Sequence, residues 1–255
     1  MGKKTKKLNR KSGNSRNNKR IRGVLIGFLI IACIVLAGHG ENGDDGRRRE
    51  AESKEHSNGE ATVNETGIIP WNLILVNRWN SLPEDFEIDF TLLSNGQRAD
   101  SRIYPDLQMM FDNARAEGVY PIVREGFRTH EDQVKVFEDK VSAYMREGYR
   151  RRKAENLAEQ RVAVPGTSEH ELGLAVDINA DNSRSTNDEV YIWLAENAWR
   201  YGFILRYPQG KEGITGIDYE PWHYRYVGKE AASEIYEEGI TLEEYLEEDG
   251  KDKDG

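Results

Sequence analysis

The sequence SEHELGLAVD at residues 168–177 contains a histidine and an aspartate on either side of a glycine. Gly173 offers a turn in its middle, and beyond that turn apolar residues alternate with small or polar ones, which predicts a β-strand. The apolar face of this strand comprises Leu174, Val176 and Ile178. Asp177 lies on the opposite face with the small side chains of Gly173 and Ala175. There is therefore room beside the carboxylate for a bulky group, such as a metal ion with its other ligands.

A second stretch, EPWHYR at residues 220–225, alternates in the same way. The aromatic residues predicted to form its core face are Trp222, Tyr224 and Tyr226. His223 and Arg225 point the other way. Pro221 favours an extended conformation at Glu220. This places Glu220 close to His223 without requiring it to be a ligand.

His170, Asp177 and His223 are candidate ligands of one metal ion. On a helix, His170 and Asp177 would lie about 10 Å apart along the axis, too far for ligand bonds of roughly 2 Å. The turn at Gly173 removes that obstacle. Two histidines and one carboxylate leave a fourth tetrahedral position for water, as in catalytic zinc sites, and Glu220 could take a proton from that water. Taken singly, each residue also fits a structural role, since a histidine in a strand often packs in a core and an aspartate often forms a turn.

The body of the chain, residues 67–240, mixes helices and strands without regular alternation. Helices are predicted at 105–117, after a cap at Thr129, at 188–201 and at 229–238. Strands are predicted at 73–76, 122–123, 174–178, 203–205 and 222–227. This order predicts an α+β fold with a small, mostly antiparallel sheet and flanking helices.

Charge divides the 255-residue chain into unequal parts. Residues 1–22 contain ten of the 36 lysines and arginines and no acid. The remaining 26 basic residues face 45 acidic ones, a net charge of −19. Such an acidic body argues against a nucleic-acid partner. The single cysteine, Cys33, excludes an intrachain disulfide and a cysteine-built zinc site.

An uncharged segment at residues 23–38 follows the basic segment and predicts one transmembrane helix. Its 16 residues would span about 24 Å, short of a hydrocarbon core of about 30 Å, and Ile21 can extend it if Arg22 snorkels. The positive-inside rule places residues 1–22 in the cytoplasm and everything after Gly38 outside. Residues 39–66 are predicted to be a flexible stalk, and residues 241–255 a solvated acidic tail.

Two alternatives to a retained anchor stay open. Val35-Leu36-Ala37 could be the cleavage site of a signal peptide, and the segment from Ile30 to Cys33 loosely matches a lipoprotein box. All three interpretations place the body outside the cytoplasm.

The spacing Ser-x-His-x-x-Gly-x-Ala-x-Asp, followed by Glu-x-Trp-His, resembles that of the VanY family of zinc D-alanyl-D-alanine carboxypeptidases. This family belongs to a wider group of peptidoglycan metallopeptidases with a hedgehog-like fold. The resemblance covers roughly residues 70–240. It includes GFRTHEDQ at 126–133, PGTS at 165–168, ILRYP at 204–208 and EPWHYRYVG at 220–228.

The resemblance implies a role for each matching residue. It implies one zinc ion per chain on His170, Asp177 and His223, with Glu220 as the catalytic base. It also implies that Arg128 polarises the scissile carbonyl or holds the substrate, and that Gln133 and Ser168 line the pocket.

Two of the substrate-binding candidates also have an interpretation from the residues alone. A substrate that ends in a carboxylate needs a fixed cationic fork, which the guanidinium of Arg128 supplies, although a surface salt bridge would also explain this arginine. Tyr207 is a weaker candidate, because an aromatic residue beside Pro208 more often serves packing.

These features predict a single-pass protein of a bacterial cell membrane with an extracytoplasmic zinc carboxypeptidase domain. The predicted activity is removal of D-alanine from the end of peptidoglycan stem peptides. The carboxypeptidase could instead have L,D specificity, or the enzyme could be an endopeptidase that cuts inside the stem. A wall-binding module with a structural zinc is a further alternative, against which Glu220 counts because a structural site needs no base. The oligomeric state, and a role in antibiotic resistance rather than wall maturation, stay open.

Overall fold

A computed structural model describes residues 62–64, 67–84 and 86–251 of the chain. The basic segment, the predicted anchor at 23–38 and most of the predicted stalk lie outside the described residues. Among the described helices, none is both long and apolar enough to cross a membrane. Residues 62–64 are the part of the predicted stalk that the structure describes, and they pair with residues 67–69 in a two-stranded antiparallel sheet.

Short strands and helices alternate irregularly in the described part of the chain. The strands are β1 (Thr62–Asn64), β2 (Gly67–Ile69), β3 (Phe90–Leu92), β4 (Arg98–Asp100), β5 (Pro121–Glu125), β6 (Ala175–Ala180), β7 (Phe203–Leu205) and β8 (His223–Tyr226). The helices are α1 (Tyr104–Ala116), α2 (His130–Arg146), α3 (Arg151–Ala158), α4 (Asn187–Asn197), α5 (Glu212–Thr215), α6 (Lys229–Glu238) and α7 (Leu242–Lys251). Two 3₁₀ turns occur, at Trp71–Leu73 and Ala198–Tyr201. The architecture is α+β, as predicted.

A four-stranded antiparallel sheet contains parts of the two stretches 168–177 and 220–225. Its strand order is β5-β6-β8-β7. β6 and β8 are neighbours in the middle of the sheet, and Asp177 is the register partner of His223. On its other side β6 pairs with β5, where Glu125 is opposite Asp177 and a bulge interrupts the ladder. The sheet thus brings together, side by side, residues that lie 46 positions apart in the sequence.

One face of this sheet packs against helices α1 and α4 to form the main core. The predicted apolar face of β6 is fully buried there: Leu174, Val176 and Ile178. Met110 of α1 and Leu194 of α4 belong to the same cluster. Tyr224 and Tyr226 of β8 also lie in it, whereas Trp222, predicted for the same face, lines a cleft on the opposite side of the sheet.

Local capping signals set the bounds of two helices near the site. The Thr129 hydroxyl accepts a hydrogen bond from the Asp132 backbone, and the Asp132 side chain bonds back to Thr129, so α2 begins with a capping box. The helix predicted at 188–201 is α4 followed by a 3₁₀ turn, and it ends at Gly202, whose φ of 83° is the left-handed conformation that glycine adopts readily.

The strand predicted at 73–76 is wrong. Trp71–Leu73 forms a 3₁₀ turn, and the residues after it join none of the described sheets. The Arg225 guanidinium donates to the backbone oxygens of Asn72 and Ile74, at 3.1 and 2.8 Å. A buried side chain thus satisfies carbonyl groups that a neighbouring strand would otherwise bond.

The acidic end of the domain is not a solvated tail from residue 241 onward. Leu242 begins α7 and is fully buried, and the buried Glu243 pairs with Arg206. The folded domain therefore continues past residue 240, because a buried arginine requires this carboxylate.

Candidate active site

His170, Asp177 and His223 converge on the face of the sheet opposite to α1 and α4. His170 lies in the turn before β6, Asp177 lies within β6, and His223 begins β8. Gly173 has a φ of 68°, a left-handed conformation that other residues rarely adopt, so the turn between the first two candidate ligands favours glycine. One potential ligand atom from each of the three residues lies within 4.8 Å of the others.

The distances within this cluster fit a shared cation. Asp177 Oδ1 lies 3.4 Å from His170 Nε2 and 3.0 Å from His223 Nδ1. This oxygen is buried and has no hydrogen-bond partner among the described residues. Two imidazoles and a carboxylate are ligand types that zinc takes in catalytic sites. The donor set and the unpaired oxygen therefore suit zinc.

Backbone and side-chain acceptors orient the two imidazole rings. The Gly126 carbonyl can only accept, so His170 Nδ1 donates to it at 2.8 Å and Nε2 is left free for a metal. The ring of His223 presents the other nitrogen to the cluster. Its Nδ1 faces Asp177, and its Nε2 faces Glu169 Oε2 at 3.5 Å.

The charges in the cluster are strongly coupled. Burial alone would raise the pKa of Asp177, but His170 and His223 lower this pKa well below its usual range. Burial, and secondarily the Arg128 charge, lowers the pKa of His170. Burial also disfavours the charged form of His223, yet the nearby carboxylates of Asp177 and Glu169 raise its pKa to about 9. In the metal-free protein, His223 is therefore a cation that must release a proton to bind zinc.

Glu220 lies beside the three candidate ligands and outside their cluster. Its Oε2 is 3.8 Å from His223 Nδ1. Burial raises the pKa of Glu220 to about 7, the His223 charge opposes this rise, and the Asp177 charge adds to it. A carboxyl group with a pKa near neutrality is suited to accept and return a proton.

Arg128 reaches the cleft from the loop between β5 and α2. Its Nη2 lies 3.8 Å from Asp177 Oδ2 and 3.6 Å from Glu125 Oε2. Its Nη1 donates to Gln133 Oε1 at 3.2 Å, and Gln133 Nε2 donates to the Ala163 carbonyl at 2.7 Å. Gln133 is fully buried. The structure thus places Gln133 behind Arg128, where it holds the guanidinium.

A cleft of about 210 Å³ contains the other predicted site residues. Those that line it are Arg128, Ser168, His170, Asp177, Tyr207, Glu220 and His223. Ser168 Oγ accepts a hydrogen bond from the His170 backbone at 3.3 Å. The Tyr207 ring is buried and lies 4.7 Å from the His223 ring, and burial raises the pKa of its hydroxyl well above the usual value. Lys140 and Arg161 also line this cleft.

Four buried charged residues behind His223 were missed by the sequence analysis. They are Glu169, Arg206, Arg225 and Glu243. The first three lie inside the quoted motifs, and Arg206 and Arg225 adjoin apolar residues of the strands predicted at 203–205 and 222–227, which was a usable signal. Glu243 gave no such signal, because it begins a run of acids. Burial alone would raise the pKa of Glu169, but the two arginines lower it far below its usual range, so Glu169 is an anion.

Comparison with known proteins identifies relatives over the region that contains the site. The family model for VanY, D-alanyl-D-alanine carboxypeptidase, matches residues 96–229. A D-alanyl-D-alanine carboxypeptidase of Enterococcus faecalis is 58% identical over 176 residues, which are 69% of this chain and 66% of that protein. The chain thus spans about two thirds of that relative. A putative carboxypeptidase of Bacillus subtilis, YodJ, is 38% identical over 69% of this chain and 67% of its own length.

Solved structures of relatives share the fold. VanYB in complex with D-alanine-D-alanine is 58% identical, with a TM-score of 0.69 over 69% of this chain and 98% of that one. A variant of the vancomycin-resistance D,D-pentapeptidase VanY, in complex with Zn(II), is equally similar, with a TM-score of 0.68 over 69% of this chain and 99% of that one. The LD-carboxypeptidase LdcB is 35% identical, with a TM-score of 0.57 over 74% of this chain and 93% of that one.

Proposed function

Because this chain belongs to the VanY family of D-alanyl-D-alanine carboxypeptidases, we propose that it hydrolyses the terminal D-alanine from peptidoglycan stem peptides with one zinc ion. The observation that carries this proposal is the convergence of His170, Asp177 and His223, with Glu220 beside them in the same cleft. A relative of 58% identity that binds Zn(II), and another that binds D-alanine-D-alanine, support it.

The three ligands would hold the zinc ion and leave a position for water. When bound, zinc supplies a lowered pKa for that water and polarisation of the scissile carbonyl. His170 is neutral and its free Nε2 is oriented by Gly126, so this ligand needs no rearrangement of its proton. Asp177 contributes the negative charge that offsets part of the charge of the metal.

Glu220 is proposed to transfer the proton. Its carboxylate accepts a proton from the attacking water and returns it to the nitrogen of the leaving D-alanine. The buried position raises the pKa of Glu220 toward neutrality, so that the group can serve as base and then as acid within one turnover.

Arg128 is proposed to stabilise the negative charge that develops on the carbonyl oxygen, or to bind the terminal carboxylate beside it. Gln133 keeps the guanidinium in place from behind, and a preorganised donor of this kind acts without reorganising during the reaction. Ser168 and Tyr207 line the wall of the cleft and are proposed to contact the substrate.

D,D specificity is favoured over the L,D alternative by the degree of similarity. Two of the relatives described as D,D enzymes are 58% identical to this chain, whereas LdcB, an LD-carboxypeptidase, is 35% identical. The test is mass spectrometry of pentapeptide, tetrapeptide and tripeptide stems after incubation with the zinc-loaded protein. Loss of one alanine from the pentapeptide alone is expected. Cleavage of the tetrapeptide alone would indicate L,D specificity, and cleavage inside the stem would indicate an endopeptidase.

For the part of the chain before the catalytic domain, we propose a single membrane anchor at 23–38, followed by a stalk at 39–66. Ten cations before an uncharged segment support an orientation with the catalytic domain outside the cell. Protease added to intact cells should digest the domain and spare the basic segment. Recovery of the domain in the cytosolic fraction would contradict this orientation, and a mature chain that starts near His39 would indicate a cleaved signal peptide.

A further inference from the structure

The carboxylate of Glu169 has two oxygens in different surroundings. Oε1 accepts hydrogen bonds from Arg206 Nε at 2.7 Å and from Arg225 Nη1 at 2.9 Å. Oε2 has no hydrogen-bond partner among the described residues, and neither has His223 Nε2. These two unpaired atoms face each other at 3.5 Å, and both side chains are almost completely buried.

Two buried polar atoms that face each other without a hydrogen bond are energetically unfavourable in a protein interior. A buried charged oxygen and a buried N–H group each lose their water, so a bond between them is strongly favoured once both are in position. When Nδ1 of His223 binds a metal, the ring carries its proton on Nε2. Glu169 Oε2 is the acceptor that faces this proton.

Glu169 is in turn held from the C-terminal helix. Arg206 uses its other two nitrogens to donate to Glu243 of α7, at 2.9 and 2.6 Å. Asn77 Nδ2 also donates to Glu243, at 3.0 Å. The buried group thus contains two cations and two anions, and it connects α7 to the ring of a metal ligand.

We propose that Glu169 is a positioning residue that orients His223 for zinc, and that α7 supports the metal site through the Arg206–Glu243 pair. This inference rests on the zinc site of the proposed function. Partners of this kind typically change metal affinity by about 10- to 100-fold. The C-terminal helix is then part of the metal site, although it contributes no ligand.

The test measures zinc affinity of the full-length protein by competition with a chromophoric chelator, without substrate. Glu169→Gln is expected to weaken zinc binding by about 10- to 100-fold and to change the visible absorption spectrum of the cobalt(II)-substituted protein. Glu171→Gln is the matched control, because Glu171 is also buried but bonds to His130 and Gly166 and to no ligand. The control should retain the zinc affinity and cobalt spectrum of the wild type.

Glu243→Gln tests the contribution of α7. It should weaken zinc binding by less than Glu169→Gln, and the effects of the two substitutions should not add, because Glu243 reaches His223 only through Arg206 and Glu169. Since Glu169→Gln leaves two buried arginines with one anion, it could fail to fold. Glu169→Asp keeps the charge but retracts the oxygens from His223, so it should fold and still bind zinc more weakly.

The outcomes separate this inference from the proposed function. If the wild-type protein binds no zinc, the proposed function fails. If the wild type binds zinc and Glu169→Gln, or Glu169→Asp where the former does not fold, binds it equally well, the positioning role of Glu169 is refuted. Wild-type zinc affinity in Glu243→Gln would refute the contribution of α7.

Discussion

Replacing Glu220 by glutamine is expected to abolish turnover and, at the same time, to stabilise the metal-free protein at alkaline pH. Burial raises the pKa of Glu220 from an ordinary value of 4.5 to about 7, with the His223 charge opposing the rise and the Asp177 charge adding to it. A carboxyl group whose pKa is higher in the folded state favours folding only while it is protonated. The ionised form of Glu220, which is the form that could act as a base, therefore destabilises the folded state.

The magnitude follows from the difference between the two pKa values. The contribution of the protonated group is fully present below about pH 4.5 and is lost as the pH rises through about 7. Above pH 7 the ionised Glu220 lowers the free energy of unfolding by on the order of 3 kcal/mol, since each pKa unit corresponds to about 1.4 kcal/mol. Glutamine has nearly the same shape and no charge, so it should recover most of this free energy.

The assay is urea unfolding of the full-length protein in a metal chelator, at pH 5 and at pH 8.5. The variant should be more stable than the wild type by about 2–3 kcal/mol at pH 8.5 and by less than about 1 kcal/mol at pH 5. Glu230→Gln, at an exposed position of α6, is the control and should change stability by less than about 0.5 kcal/mol at either pH.

Activity and metal content complete this test. Loss of a general base reduces turnover by about 10²- to 10⁴-fold. The zinc content of Glu220→Gln should equal that of the wild type, because Glu220 is outside the ligand cluster. A variant that is less stable at pH 8.5, or that loses zinc together with activity, would show that Glu220 is a structural or ligating carboxylate and not a buried base.

Three further predictions concern the ligands, the guanidinium and the proton balance. Alanine in place of His170, Asp177 or His223 should lower zinc content and abolish turnover, and metal analysis of the purified variants checks this; full zinc content in any of them would exclude that residue as a ligand. Arg128→Lys keeps the charge but loses the planar fork, so kcat/KM should fall strongly, and amidation of the C-terminus of the substrate should reduce kcat/KM by about ten- to a hundredfold; equal cleavage of amide and free acid would favour an endopeptidase. Because the pKa of His223 is about 9 without metal, zinc binding at pH 7.5 should release a proton, and zinc affinity should rise with pH up to about 9. A calorimetric titration in buffers of different ionisation enthalpy measures this proton release. Zinc binding without proton release would contradict a charged His223.

Local patterns determined much of this structure, because they act within a few residues. Alternation along residues 174–178 identified the buried face of β6. Thr129 and Asp132 identified the start of α2 through a capping box that closes within one helical turn. The three candidate ligands were found because each lies in a short motif whose strand direction and turn could be deduced from its own residues.

The pairing of the buried polar groups could be seen only in the folded chain. Gln133 is behind Arg128, not on the surface of the cleft, because the Ala163 carbonyl holds its amide. Residues 74–76 are not a strand, because the Arg225 guanidinium donates a hydrogen bond to the Ile74 carbonyl. Such pairs depend on which groups meet after the chain has folded, so no local pattern contains them.

The acidic end of the domain is the clearest case in which a local sequence pattern and long-range pairing lead to different expectations. From its composition the segment after residue 240 was expected to be solvated, since consecutive acids repel one another and contain little apolar surface. The buried Arg206 reverses this expectation for Glu243, because an arginine in the interior requires a second carboxylate once Glu169 also pairs with Arg225. The sequence alone thus indicated the candidate ligands and the face on which they lie. The balance of buried charge behind them depends on residues that are far apart in the sequence and meet only in the folded chain.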